Sequence, residues 1–177
     1  MTTNEPTLCV LKQQNTTIHL HWSGTLEMDF FALCTDAQGV QTLVSFAELD
    51  AEPDTVVQIL SEFAFQQVPK DNQEIIQVRL DVDSSLRSVD FFAWEFDAVE
   101  AESFCEFEFH AVFVEVNQEG HQWIGPSYSA GEMSGNAIHL GRLQRLDDWQ
   151  YVSMMNVFNA PMLEELADVQ QFFQNQT

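Results

Sequence analysis

The 177 residues predict a mostly β protein: a two-sheet antiparallel β-sandwich with a C-terminal helix and one short inserted helix. Three observations carry this. Apolar residues recur at every second position in several short runs, the periodicity of half-buried strands. Turn signals of one kind follow the runs. Helical periodicity is confined to two segments, without the regular strand–helix alternation of a parallel α/β sheet.

In chain order, the first alternating run is Thr17 to Trp22, with Ile18, Leu20 and Trp22 on one side and His19 and His21 on the other. Asp36-Ala37-Gln38-Gly39 and Asn117-Gln118-Glu119-Gly120 share an Asx-x-x-Gly pattern, whose glycine supplies the positive φ that short hairpin connections need. Thr55 to Phe65 reads as a helix capped by Asp54, although its β-branched residues leave a strand open. Ile76 to Val82 alternates again, with Gln77, Arg79 and Asp81 outward. Cys105 to Phe109 alternates with Glu106 and Glu108, and the run continues to Val116, apolar on both faces as in a central strand. Near Gly141 the parity shared by Ile138 and Leu140 passes to Leu143, the phase slip of a β-bulge. Trp149 and Tyr151 share the next strand face. Ala160 to Gln174 is the C-terminal helix, with Asn159 as N-cap, Pro161 in the first turn and Met162, Leu166, Val169 and Phe173 as its apolar stripe. Trp22, Trp94, Trp123 and Trp149 are the expected fillers between the sheets. Asp29-Phe30-Phe31-Ala32 is echoed by Asp90-Phe91-Phe92-Ala93, which fits either an internal duplication or coincidence. No linker divides the chain, so residues 1–177 are read as one domain with its core over about 10–155.

The charge is the outstanding feature of composition: 28 Asp and Glu against 6 Lys and Arg, a formal net charge of −22. Such a field repels nucleic-acid phosphate and anionic lipid, and attracts divalent cations and basic protein surfaces. The densest acidic stretch runs from Glu95 to Glu108, read as a solvated loop and strand face, or as a docking surface for a basic partner. The three cysteines lack metal-type spacing and the N-terminal residues lack a signal-peptide pattern. With no long apolar run, the expectation is a cytoplasmic chain with reduced thiols and no membrane insertion.

Catalytic motifs are missing: there is no G-x-S-x-G elbow, no P-loop and no G-x-G-x-x-G. The expectation is no enzyme. His19 and His21, two apart on a strand, share one face and form half of a transition-metal chelate, with Asp29 as a nearby carboxylate. The competing reading is two solvated polar residues opposite Ile18 and Leu20. His110, His121 and His139 are isolated in sequence.

Several colinear segments between about residues 10 and 155 resemble the TerD-like tellurium-resistance and stress proteins. They are Leu20-His21-Trp22, Glu27-Met28-Asp29, Asn72-Gln73-Glu74, Ala111 to Val116, Ser127-Tyr128, His139 to Arg145 and Asp148-Trp149-Gln150-Tyr151. The resemblance implies a calcium-binding or scaffolding protein of a bacterial stress or tellurite-resistance system. Carried over by position, it implies Ca2+ ligands at Glu27, Asp29, Asp71 and Glu74. The family's glycine- and aspartate-rich loop is replaced by Asp50 to Pro69, and Asn72 and Gln73 stand where two aspartates belong. Losing charged ligands weakens a site that needs six to eight oxygens, so the calcium site is expected to be weakened or lost. Two other classes remain: an acidic decoy or nucleic-acid mimic docked on a basic protein, and a small-molecule sandwich with an aromatic pocket.

Overall fold

Two antiparallel sheets built from eleven strands form the described architecture. The computed structural model describes residues 8–11, 15–45, 65–70, 73–79, 85–118, 120–126 and 135–177. The strands are β1 (Leu8–Leu11), β2 (Asn15–His21), β3 (Met28–Asp36), β4 (Gln41–Ser45), β5 (Phe65–Lys70) and β6 (Gln73–Arg79), then β7 (Leu86–Glu95), β8 (Phe113–Gln118), β9 (His121–Ile124), β10 (Ala137–Arg145) and β11 (Trp149–Phe158). One sheet has the order β1-β11-β10-β7-β3-β4, the other β5-β6-β2-β8-β9. Two α-helices are described, α1 (Phe96–Glu100) and α2 (Leu166–Gln174), with a 3-10 turn at Phe107–His110. No helix among the described residues is long and apolar enough to cross a membrane.

The period-two pattern sorts the side chains as expected. Ile18, Leu20, Ile76, Val78, Val114 and Val116 from the five-stranded sheet bury against Phe30, Phe91, Leu140, Leu143 and Tyr151 from the six-stranded one. The six-stranded sheet is covered on its other face too. Phe31, Phe92 and Trp94 there meet Val169 and Phe173 of α2, and the Phe92 and Phe173 rings stack with centroids 4.4 Å apart. Burying one such phenyl ring stabilises the layer by roughly 1.5–3 kcal/mol. Trp94 therefore lies beneath the helix and not between the sheets, whereas Trp149 belongs to the inter-sheet core. α2 also ties down edge strand β4: the Leu43 amide donates to Gln170 Oε1 at 3.1 Å and Gln170 Nε2 donates to the Gln41 carbonyl at 3.0 Å.

The turns form as their side chains dictate. Asp36 Oδ1 accepts from the Gln38 and Val40 amides, both at 2.9 Å, and Gly39 takes φ +81°. Gly120 takes φ +77° between β8 and β9. The Gly141 phase slip is a bulge in both ladders of β10, with register lost between His139 and Gly141. A Cβ at Gly141 would stand 2.6 Å from the Val152 carbonyl oxygen, so glycine is needed there for close approach. The repeated Asp-Phe-Phe-Ala segments lie on neighbouring strands, with Phe31 directly opposite Phe92.

Three further expectations fail because of partners distant in sequence. The C-terminal helix starts at Leu166, not Ala160, and Asn159 is not its cap. Buried Asn136 holds the chain extended at Ala160, accepting from its amide at 2.7 Å and donating to its carbonyl at 2.9 Å. Cys105 to Phe109 is not a strand: Cys105 makes one bridge to Gly135 and Phe107 begins the 3-10 turn. Glu95 is not a solvated acid. It is 5% exposed and N-caps α1, accepting from Ala98 N at 2.7 Å and from Glu27 N at 3.1 Å. The inserted helix over Thr55 to Phe65 lies outside the described residues, except Phe65, which begins β5.

Candidate metal centre

Strand β2 lies between β6 and β8, and its alternation turns His19 and His21 away from the inter-sheet core. Register then decides their neighbours. His19 is opposite Glu115 on β8, and His21 is opposite Phe113 on β8 and Gln73 on β6. Asn117, two residues beyond Glu115, shares its side of the strand.

The side chains converge tightly. His21 Nε2 is 2.8 Å from Glu115 Oε2, and one ligand atom each from His19, His21 and Glu115 falls within 4.8 Å of the other two. The imidazoles are held by neighbours: His21 stacks on Phe113 at 4.6 Å and on His19 at 5.8 Å. Carboxamides fill the surroundings. Gln73 Nε2 is 2.8 Å from His19 Nδ1 and 3.0 Å from His21 Nε2, and Asn117 Nδ2 is 3.2 Å from His19 Nε2. Asn117 and Gln122 both donate to Glu115 Oε1, at 2.6 Å and 2.7 Å. The side chain of His21 is 24% exposed and that of Glu115 is 12%, so the cluster is shielded but reachable from solvent.

Burial alone raises the Glu115 carboxyl. The hydrogen bonds from Asn117, Gln122 and His21, with the His19 charge, outweigh it and bring the group below the ordinary glutamate value. Glu115 is therefore ionised at neutral pH. Two imidazoles and one carboxylate make a set suited to zinc-class ions; a single charged oxygen falls far short of what calcium requires.

The four carboxylates implied by the resemblance fall differently. Asp29 lies on β3 in the six-stranded sheet, and its Oδ2 accepts from the Trp94 indole N–H at 2.8 Å. It is thus not the carboxylate beside the histidine pair; Glu115 takes that place. Glu27 is exposed just before β3, its amide and carbonyl bonded to Glu95 and Phe96. Glu74 lies on β6 in the other sheet, opposite Leu20. Asp71 lies outside the described residues. Glu115, Asn117 and Gln122 were not legible as site residues, and Gln73 was legible only as a replaced aspartate of the implied calcium site. Their one signal was the shared parity of Glu115 and Asn117 along β8.

A second histidine–carboxylate pair is sealed inside the fold. His139 Nε2 lies 2.8 Å from Asp90 Oδ1, which also accepts from Arg142 Nε at 2.9 Å; His139 is 4% exposed, Asp90 1%, and Phe92 stacks on the imidazole. No family model matches the chain, and no curated protein matches it.

Proposed function

We propose that this chain is a non-enzymatic, TerD-like binding module that acts as a scaffold for a partner with a basic surface, in a bacterial stress or tellurite-resistance setting. The observation that carries the reading is the placement of the acidic segment. Asp97, Glu100, Glu102 and Glu106 are all exposed on α1 and the loop after it, beside the sandwich, within a chain of net charge −22. A patch of that sign speeds encounter with a cationic surface and disfavours nucleic acid directly. A weakened or lost calcium site is consistent with the bond that Asp29 Oδ2 accepts from the Trp94 indole.

The test is binding of the full chain to a lysine-rich peptide over a salt series. Neutralising the patch (Glu100→Gln, Glu102→Gln, Glu106→Gln) should weaken binding by about tenfold or more, given that each such step is only about 1.4 kcal/mol. A control triple elsewhere (Asp147→Asn, Asp148→Asn, Glu164→Gln) should weaken it far less. Equal loss in both would reduce the attraction to diffuse charge and remove the docking surface.

A further inference from the structure

We propose that His19, His21 and Glu115 bind one divalent transition-metal ion of the zinc class on the outer face of the five-stranded sheet. This goes beyond the basic-partner reading and does not depend on it.

Geometry is the first argument. A tetrahedral ion with ligand bonds of about 2.0–2.1 Å sets its ligand atoms about 3.3 Å apart. Here the His21–Glu115 pair is at 2.8 Å and every pair lies within 4.8 Å. The widest separation exceeds the tetrahedral spacing by about 1.5 Å at most, a difference shared between two side chains. The backbone is already fixed, because His19 and His21 share a strand and Glu115 is in register across the ladder.

The proton inventory is the second. His21 Nε2 is within hydrogen-bond distance of both a carboxylate oxygen and the Gln73 carboxamide nitrogen. A neutral imidazole nitrogen carries either a proton or a lone pair. With a proton it satisfies Glu115 and faces an NH2 group; with a lone pair it accepts from Gln73 and faces an anion. Rotating the Gln73 amide relieves one conflict by turning its carbonyl inward. A cation between the imidazole and the carboxylate relieves the other, since each then offers a lone pair to the ion and the imidazole nitrogen no longer accepts from Gln73.

The third argument is the outer ring. Asn117 and Gln122 grip Glu115 Oε1, leaving Oε2 directed at His21. Metal-bound carboxylates and imidazoles are oriented by such partners, and losing one typically costs about 10–100-fold in affinity. Three protein ligands leave a fourth position for water or an external donor.

The full chain is stripped with EDTA and titrated with Co2+, then Zn2+, at near-neutral pH in about 0.15 M salt with excess magnesium, so that diffuse cation binding to the acidic surface is screened. The expected result is a single equivalent of Co2+ with the visible ligand-field bands of a low-coordinate site, displaced by Zn2+ and indifferent to excess Ca2+. Glu115→Gln and His19→Gln should each weaken Zn2+ at least about tenfold, and Asn117→Ala should weaken it to an extent in the range of outer-ring residues. His121→Gln, outside the cluster, should bind as the parent does. Melts in EDTA establish that each variant is folded. No ligand-field bands, or several weak equivalents unchanged in folded Glu115→Gln, would overturn the proposal.

Discussion

Asp29 has two competing roles, and one substitution separates them. By resemblance it is a calcium ligand; by geometry it is the acceptor for the Trp94 indole, whose side chain is 2% exposed beneath α2. In Asp29→Ala the indole N–H is left buried without that carboxylate, at a cost of about 1–3 kcal/mol. Asp29→Asn keeps an oxygen but loses the charge, and a neutral acceptor is worth about 1 kcal/mol less than an ionised one. For a chain of this length each kcal/mol lowers the melting temperature by about 2–4 °C. At the middle of that cost, about 2 kcal/mol, Asp29→Ala should melt about 4–8 °C below the parent, with Asp29→Asn about halfway between.

The assay is a thermal melt of parent and variants in EDTA, in magnesium and in calcium. A ligand at a hundred times its dissociation constant stabilises by about 2.7 kcal/mol, so a calcium ligand's substitution would cost roughly twice as much in saturating calcium as in EDTA. A structural acceptor costs the same in all three. The reasoning is refuted if the Asp29→Ala penalty is absent in EDTA, or grows by more than about 1 kcal/mol when calcium replaces EDTA.

Two further outcomes follow from buried polar groups. Tyr151 is fully buried with its hydroxyl unpartnered, and burial pushes its ionisation far up. Tyr151→Phe should raise stability in urea melts by up to about 1 kcal/mol, and a loss instead would show that the hydroxyl has a partner in solution. Glu115 is held below its ordinary value, so its contribution is present above the unfolded-state value and lost as pH falls through the folded one. The stability gap between the parent and Glu115→Gln should shrink on acidification from near-neutral pH through the glutamate range; a constant or widening gap in urea melts would contradict that sign.

The alternation of Ile18 with Leu20, and of Ile76 with Val78, identified the inward faces because burial acts on each strand separately. The Asx turn at Asp36 and the bulge at Gly141 were legible for the same reason, since a turn or a phase slip is written in a few adjacent residues. What failed was set by distant partners. The start of α2 moved because Asn136, 24 residues upstream of Ala160, claimed the backbone there. Glu95 is buried and not solvated because, besides capping α1 through Ala98, its carboxylate accepts from the Glu27 amide, 68 residues away.

The histidine cluster belongs to the same class. Period two places His19 and His21 on the outer face, but it cannot say which strand lies alongside. Asp29 was a carboxylate close by in sequence, and chain reversal after β2 carries it into the other sheet. Glu115, 94 residues from His21, is brought to 2.8 Å by the β2–β8 ladder alone. Within β8 the run from Phe113 to Gln118 has Val114 and Val116 buried and Glu115 and Asn117 half-buried, so its outward parity carried two of the cluster's polar residues. A polar pair on a strand thus gains chemical meaning only from register. The ladder that fixes His19 opposite Glu115 also holds Ile18 and Leu20 opposite Val116 and Val114 in the core. A one-residue slip would move every one of those side chains to the other face, so the burial that stabilises the sandwich also keeps the three ligand atoms together.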